Sequence, residues 1–106
     1  MVGTYLVERY VASTARDDLL PGLRRLRAAA ARMRREGQQI RYVRSVLIPA
    51  DQTWMHFVTA PDRESVERLV ETAEMEADRI SEALETWRTA ADGPAPRDDE
   101  GSGRMR

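Results

Sequence analysis

Apolar and polar residues alternate along two neighbouring stretches of the chain, residues 42–48 and 53–59, which are rich in β-branched and aromatic side chains. Such runs are typical of pleated, half-buried strands. A short turn of sequence Pro-Ala-Asp-Gln, residues 49–52, separates them. The pattern therefore predicts a β-hairpin, and a further alternating run at residues 4–11 predicts a strand ahead of it.

Two other stretches show helical spacing of their apolar residues. The first has apolar positions every three or four residues, at Leu19, Leu23, Leu26, Ala30 and Met33. Pro21 is expected in the first turn of this helix, and Gly37 just past its end. Asp62 is expected to begin a second helix after Pro61. The predicted order of elements is β-α-β-β-α.

The stretch at residues 75–88 permits two interpretations. Its apolar residues Ala77, Ile80, Leu84 and Trp87 continue the helical rhythm, with no glycine or proline to end the helix. The alternative is a fourth strand at residues 80–86, although the sequence there alternates poorly. Residues 90–106 are rich in Gly, Pro and charge and predict a disordered tail. Residues 1–89 are accordingly predicted to form one domain.

Composition narrows the classes of function. The 106 residues carry a net charge of −1, which gives no electrostatic argument for a nucleic-acid or membrane partner. The absence of cysteine excludes disulfides and thiolate chemistry. No apolar run approaches the roughly 20 residues that span a bilayer. We therefore expect a cytoplasmic protein that binds neither nucleic acid nor membrane.

Three short segments carry a family resemblance: residues 5–9 (Tyr-Leu-Val-Glu-Arg), residues 60–62 (Ala-Pro-Asp) with Glu64, and residues 78–80 (Asp-Arg-Ile) with Glu82. They resemble a family of small actinobacterial ferredoxin-like proteins, formerly of unknown function, that includes a nickel-binding member. The resemblance implies an α+β fold, a ferredoxin-like split-βαβ sandwich, in a dimer of α+β-barrel type. It also implies a fourth strand entered at residues 78–80 and raises a divalent metal such as nickel as a candidate cofactor.

In such a sandwich both helices cover one face of the sheet. We expect that face to hold Tyr5, Val7, Val11, Val43, Leu47, Met55 and Phe57. The open face is then expected to hold Leu6, Glu8, Tyr10, Tyr42, Arg44, Val46, Ile48, Trp54, His56 and Val58. Aromatic residues mixed with a few polar groups are typical of a ligand pocket, and a homodimer formed through the open faces would enclose it.

The single imidazole, His56, is the candidate catalytic acid or base, because its ordinary pKa suits proton transfer near neutral pH. Glu8 would orient it, and structural hydrogen bonding is the alternative role for both residues. His56 and Glu8 are also the candidate metal ligands, although one imidazole without thiolates is a sparse set for nickel or zinc. The candidate ligand-binding residues are Tyr10, Tyr42, Arg44 and Trp54.

Three functions remain open. The first is a small dimeric protein that binds a ligand or metal on the open sheet face. The second is a cofactor-independent enzyme of isomerase, cyclase or monooxygenase type that uses His56, a hypothesis by analogy of fold. The third is an assembly or regulatory protein whose C-terminal helix pairs with a partner. A fourth strand favours the first two, and an uninterrupted helix favours the third.

Overall fold

A computed structural model describes residues 1–84 and residue 86 of the chain. The helices are α1 (Arg16–Arg35) and α2 (Arg63–Thr72), and the strands are β1 (Gly3–Tyr10), β2 (Arg41–Ile48), β3 (Thr53–Ala60) and β4 (Arg79–Ala83). The strands form one antiparallel sheet in the order β2-β3-β1-β4. This is the predicted ferredoxin-like α+β sandwich. The predicted tail at residues 90–106 lies outside the described residues.

The core lies between one face of the sheet and the two helices. Val7 of β1 and Val58 of β3 meet Leu26 of α1 and Leu69 of α2, and all four side chains are fully buried. Burial of such residues supplies most of the stability that a domain of this size can have. Within the described residues, neither helix is long and apolar enough to cross a membrane.

The predicted hairpin is confirmed. β2 and β3 pair in register from Ile48 and Thr53 outward. A short 3₁₀ turn, Pro49–Asp51, joins them, and Gln52 adopts the left-handed conformation. One irregularity interrupts the pairing between Tyr42 and Arg44, and it shifts which residues of β2 face the helices.

Helix α1 begins earlier than predicted. It starts at Arg16, so Pro21 lies in the second turn rather than the first. Ala15, at the N-cap, offers no side-chain acceptor; Ser13 instead accepts a hydrogen bond from the Ala15 N–H and donates one to the Asp18 carboxylate. The predicted end of the helix is confirmed, because Gly37 has a positive φ of 91° that suits glycine.

Helix α2 begins as predicted but does not continue to residue 88. The Asp62 carboxylate accepts a hydrogen bond from the Ser65 N–H at 2.8 Å and so caps the helix. At the other end Glu74 adopts a left-handed φ of 56°, and the Met75 N–H donates to the Val70 carbonyl at 3.0 Å. That closing bond is a Schellman motif. The continuous-helix interpretation is therefore wrong, and the fourth strand is confirmed.

The prediction of sheet faces is confirmed for β1 and wrong for β3. Tyr5, Val7 and Arg9 are paired across the sheet with Val58, His56 and Trp54. Directly paired residues point to the same face, so Trp54, His56 and Val58 lie under the helices. Met55 and Phe57 lie on the open face.

The faces of β2 are also partly reversed. Tyr42 packs against the core, and Val43 is 49% exposed, the opposite of the prediction for both residues. Leu47, paired with Trp54, faces the helices as predicted. The irregularity after Tyr42 explains the reversal at the start of the strand, because an extra residue breaks the alternation there.

A candidate functional site beside Trp54

The predicted site residues are divided between the two faces of the sheet. Glu8 lies on the open face opposite Met55 and Arg79, whereas His56 lies on the helix-covered face opposite Val7 and Ser45. The prediction that Glu8 orients His56 is therefore wrong, because the sheet separates the two side chains. Of the predicted ligand-binding residues, Tyr42 and Trp54 share the face of His56, and Tyr10 and Arg44 do not.

The residues do not fit the metal site that the family resemblance suggested. Glu8 and His56 cannot share one ion in a single chain. Across the part of the chain that the structure describes, no three His, Cys, Asp or Glu side chains gather into a metal-binding group. A nickel site of imidazoles or thiolates therefore has no counterpart among these residues.

His56 is the buried end of a chain of hydrogen bonds that is otherwise partly exposed. Its Nδ1 atom lies 2.6 Å from the Ser45 hydroxyl oxygen, which in turn lies 2.8 Å from the Tyr42 hydroxyl oxygen. The side chain of His56 is fully buried, and its Nε2 atom has no hydrogen-bond partner among the described residues. The Trp54 and His56 rings pack in a T-shaped arrangement, with ring centroids 4.4 Å apart.

The imidazole is neutral at physiological pH. Burial, the larger cause, and the nearby Arg9 guanidinium together lower the pKa of His56 from 6.5 to about 4. The Nδ1 atom of a neutral ring accepts a hydrogen bond from the Ser45 hydroxyl or donates one to it, depending on the tautomer. The ring therefore holds the Ser45 hydroxyl in place without adding a charge.

Ser45 is a site residue that the sequence interpretation missed. The four-residue turn places residue 48 opposite residue 53. Three residues further along each strand, Ser45 then lies opposite His56, as observed. The hairpin register alone could have identified this pair.

Ser45 opens onto an apolar cleft of about 340 Å³ between α1 and the β2–β3 hairpin. Its walls are the side chains of Leu19, Leu20, Leu23, Leu47 and Trp54, with Arg16 also lining it. The three leucines of α1 repeat at helical spacing, which turns them toward the sheet. The cleft is therefore mostly apolar, with one oriented hydroxyl.

Comparison with known proteins identifies the fold class. No protein-family model matches the chain, and no curated protein matches it in sequence. The structure is a ferredoxin-like sandwich, similar to the crystal structure of SCO4226 from Streptomyces coelicolor A3(2), with a TM-score of 0.65. The two are 19% identical in sequence, over 79% of this chain and 99% of that one. A likeness at that identity shows the fold alone.

Proposed function

We propose that the protein binds a small molecule in the cleft between α1 and the β2–β3 hairpin. The observation that carries this proposal is the combination of four leucines and Trp54 around a single fixed hydroxyl, that of Ser45. Small-molecule sites are concave and mainly apolar, with a few polar groups that fix orientation, and their volumes begin at about 300 Å³. The cleft replaces the open sheet face as the proposed pocket.

The proposal is tested by titrating the untagged protein with a neutral probe, cyclohexylmethanol, while Trp54 is observed. Trp87 should first be replaced by Phe, so that Trp54 is the only indole. We expect saturable changes in tryptophan fluorescence and in the indole N–H resonance. Leu23→Gln should weaken the response, since it places an amide in the apolar wall. The matched control, Arg24→Gln, changes an exposed neighbour on the same helix and should have no effect. Equal responses from both variants would contradict the proposal.

A second candidate function is catalysis by Ser45 and His56. The 2.6 Å contact between the Ser45 oxygen and the imidazole is the arrangement by which a neutral histidine removes the proton of an attacking hydroxyl. A fluorophosphonate probe tests it: the Ser45 oxygen would bond to phosphorus, fluoride would leave, and the hydroxyl proton would pass by way of His56 to water. Mass spectrometry should then find the adduct on Ser45 and none in His56→Asn. An unmodified wild-type protein leaves binding as the function.

We further propose that the open sheet face pairs with a second copy of the chain. Val46 and Ile48 of β2 and Phe57 of β3 lie on this face, and the first two are more than one-third exposed. Glu8 and Arg79 share the face, so a two-fold axis could pair carboxylates with guanidinium groups. Apolar side chains on an uncovered sheet favour burial in an interface.

Sedimentation velocity tests the dimer. Wild-type protein should sediment as a dimer, and Phe57→Glu should sediment as a monomer with unchanged circular dichroism. The control, Thr72→Glu, places the same charge at the exposed end of α2 and should remain dimeric. A wild-type monomer at high micromolar concentration would contradict this proposal and leave the cleft proposal unaffected.

A further inference from the structure

A second cleft, of about 250 Å³, also has Trp54 in its lining. It shares Leu19 and Trp54 with the apolar cleft, but its remaining lining is largely polar and includes Arg9, Gly22, Arg25 and Asp18. Two clefts that share two walls can receive different parts of one ligand. The chemistry of the second cleft therefore bears on what the first one binds.

Two guanidinium groups approach each other in this second cleft. One terminal nitrogen of Arg9 and one of Arg25 each lie 3.8 Å from the point where a Cβ atom on Gly22 would stand, so they are no more than twice that distance apart. The Arg25 Nε–H donates to the Ala73 carbonyl at 3.0 Å, which holds that side chain at the C-terminal end of α2. Like charges within that distance repel each other, and an anion placed between them would relieve the repulsion.

The described residues supply no such anion. Neither arginine has a carboxylate oxygen within ion-pair distance in the described part of the chain. Asp18 also lines the cleft, and its carboxylate accepts the hydrogen bond of the Ser13 hydroxyl. The cleft therefore keeps a net positive character beside an apolar wall.

Gly22 leaves a space of about one methyl group beside the nearest nitrogens of the two arginines. It lies inside α1, where glycine is less stable than alanine by about 0.5–1 kcal/mol. A Cβ atom there would meet the Trp54 ring at 3.5 Å, an ordinary contact, and nothing closer. Packing therefore does not require glycine at this position. Its absent side chain leaves the space between the guanidinium groups unfilled.

We propose that Arg9 and Arg25 bind the carboxylate of a small organic acid whose apolar body lies against Trp54 and Leu19. Guanidinium groups bind carboxylates through paired, charge-assisted hydrogen bonds, and both apolar residues line the two clefts. The inference rests on the proposed ligand cleft and names the class of ligand. Gly22 acts as a specificity residue by admitting the carboxylate.

The test compares two probes of the same shape, cyclohexanecarboxylate and neutral cyclohexylmethanol, on the Trp87→Phe protein. The acid should bind about tenfold more tightly or better. Arg25→Gln should remove that preference and leave the affinity for the alcohol unchanged, and Arg24→Gln should alter neither. Equal affinities of acid and alcohol would overturn the carboxylate site while leaving the cleft proposal intact. Failure of both probes to bind would overturn both proposals.

Gly22→Ala separates this role from a structural one. The methyl group should raise the melting temperature, because alanine favours the helix, yet weaken binding of the acid severalfold by filling the space between the arginines. A stabilised variant with full affinity for the acid would contradict the assignment of Gly22. A variant with lower stability would contradict the geometry on which it rests.

Discussion

Acidification should destabilise the fold through His56. The buried ring resists protonation until about pH 4, whereas an exposed imidazole in the unfolded chain titrates near 6.5. Between these values the unfolded state binds more protons, so this contribution to stability is complete above about pH 6.5 and is lost as the pH falls toward 4. Because one pKa unit corresponds to about 1.4 kcal/mol, lowering the pH from 7 to 5 should reduce the free energy of unfolding by about 2 kcal/mol.

Urea denaturation measures this loss. For a small domain, about 2 kcal/mol lowers the urea midpoint by roughly 1–2 M between pH 7 and pH 5. His56→Asn should be less stable at pH 7, yet its midpoint should change much less over the same interval, because its amide retains a partner for Ser45 and does not titrate. Asp62→Asn is the matched control: the pKa of Asp62 is also lowered, by its hydrogen bonds from Ser65, but that carboxyl titrates at lower pH. This variant should keep the wild-type dependence between pH 7 and pH 5.

Two results would refute the reasoning. Parallel pH profiles for wild type and His56→Asn would show that His56 contributes nothing to the loss of stability. A proton NMR titration provides a direct check, since the chain has one imidazole and the resonance needs no assignment. A midpoint near 6.5 in the folded protein would mean that the ring is accessible to water.

Three further changes test the packing and the helix ends. Leu26→Ala, at a fully buried position, should destabilise the fold by about 2–5 kcal/mol, whereas Leu84→Ala, at an exposed one, should stay within about 0.5 kcal/mol in urea denaturation. Glu74→Gly should raise the melting temperature by a few degrees, because glycine relieves the left-handed φ; an unchanged or lower value would contradict the Schellman geometry. Gly37→Ala should lower the melting temperature and cost about 1 kcal/mol of stability, because alanine is strained at the positive φ that Gly37 adopts.

The order of elements could be predicted from the sequence because each boundary has a local chemical signal. Gly37 marks the end of α1 and Asp62 the start of α2, as the structure confirms. The end of α2 lacks such a signal, because the residue in the left-handed conformation there is Glu74 and not a glycine. Burial of Met75 in the core and pairing of β4 with β1 impose that turn. Contacts distant in the sequence, rather than local preference, determined the boundary.

The faces of β3 could not be predicted from alternation alone. Both sets of alternating residues in this strand contain large apolar side chains, Trp54 and Val58 on one side and Met55 and Phe57 on the other. Pattern therefore does not distinguish the core face from the open one. Pairing with β1 settles the question, since His56 lies beside the fully buried Val7 and Val58 beside Tyr5, which packs against the core. The candidate pocket therefore lies on the helix-covered side of the sheet, whereas the sequence pattern predicted it on the open face.

Arg9 connects the two parts of the proposed site. Its charge helps to keep the His56 ring neutral, and the same guanidinium lines the cleft proposed to bind a carboxylate. A bound carboxylate would offset that charge, so the pKa of His56 should rise when cyclohexanecarboxylate is present and stay unchanged with cyclohexylmethanol. Thermodynamic reciprocity then requires the acid to bind more tightly as His56 becomes protonated. The single imidazole resonance reports this coupling directly, and identical titration curves with and without the acid would show that Arg9 does not serve both groups.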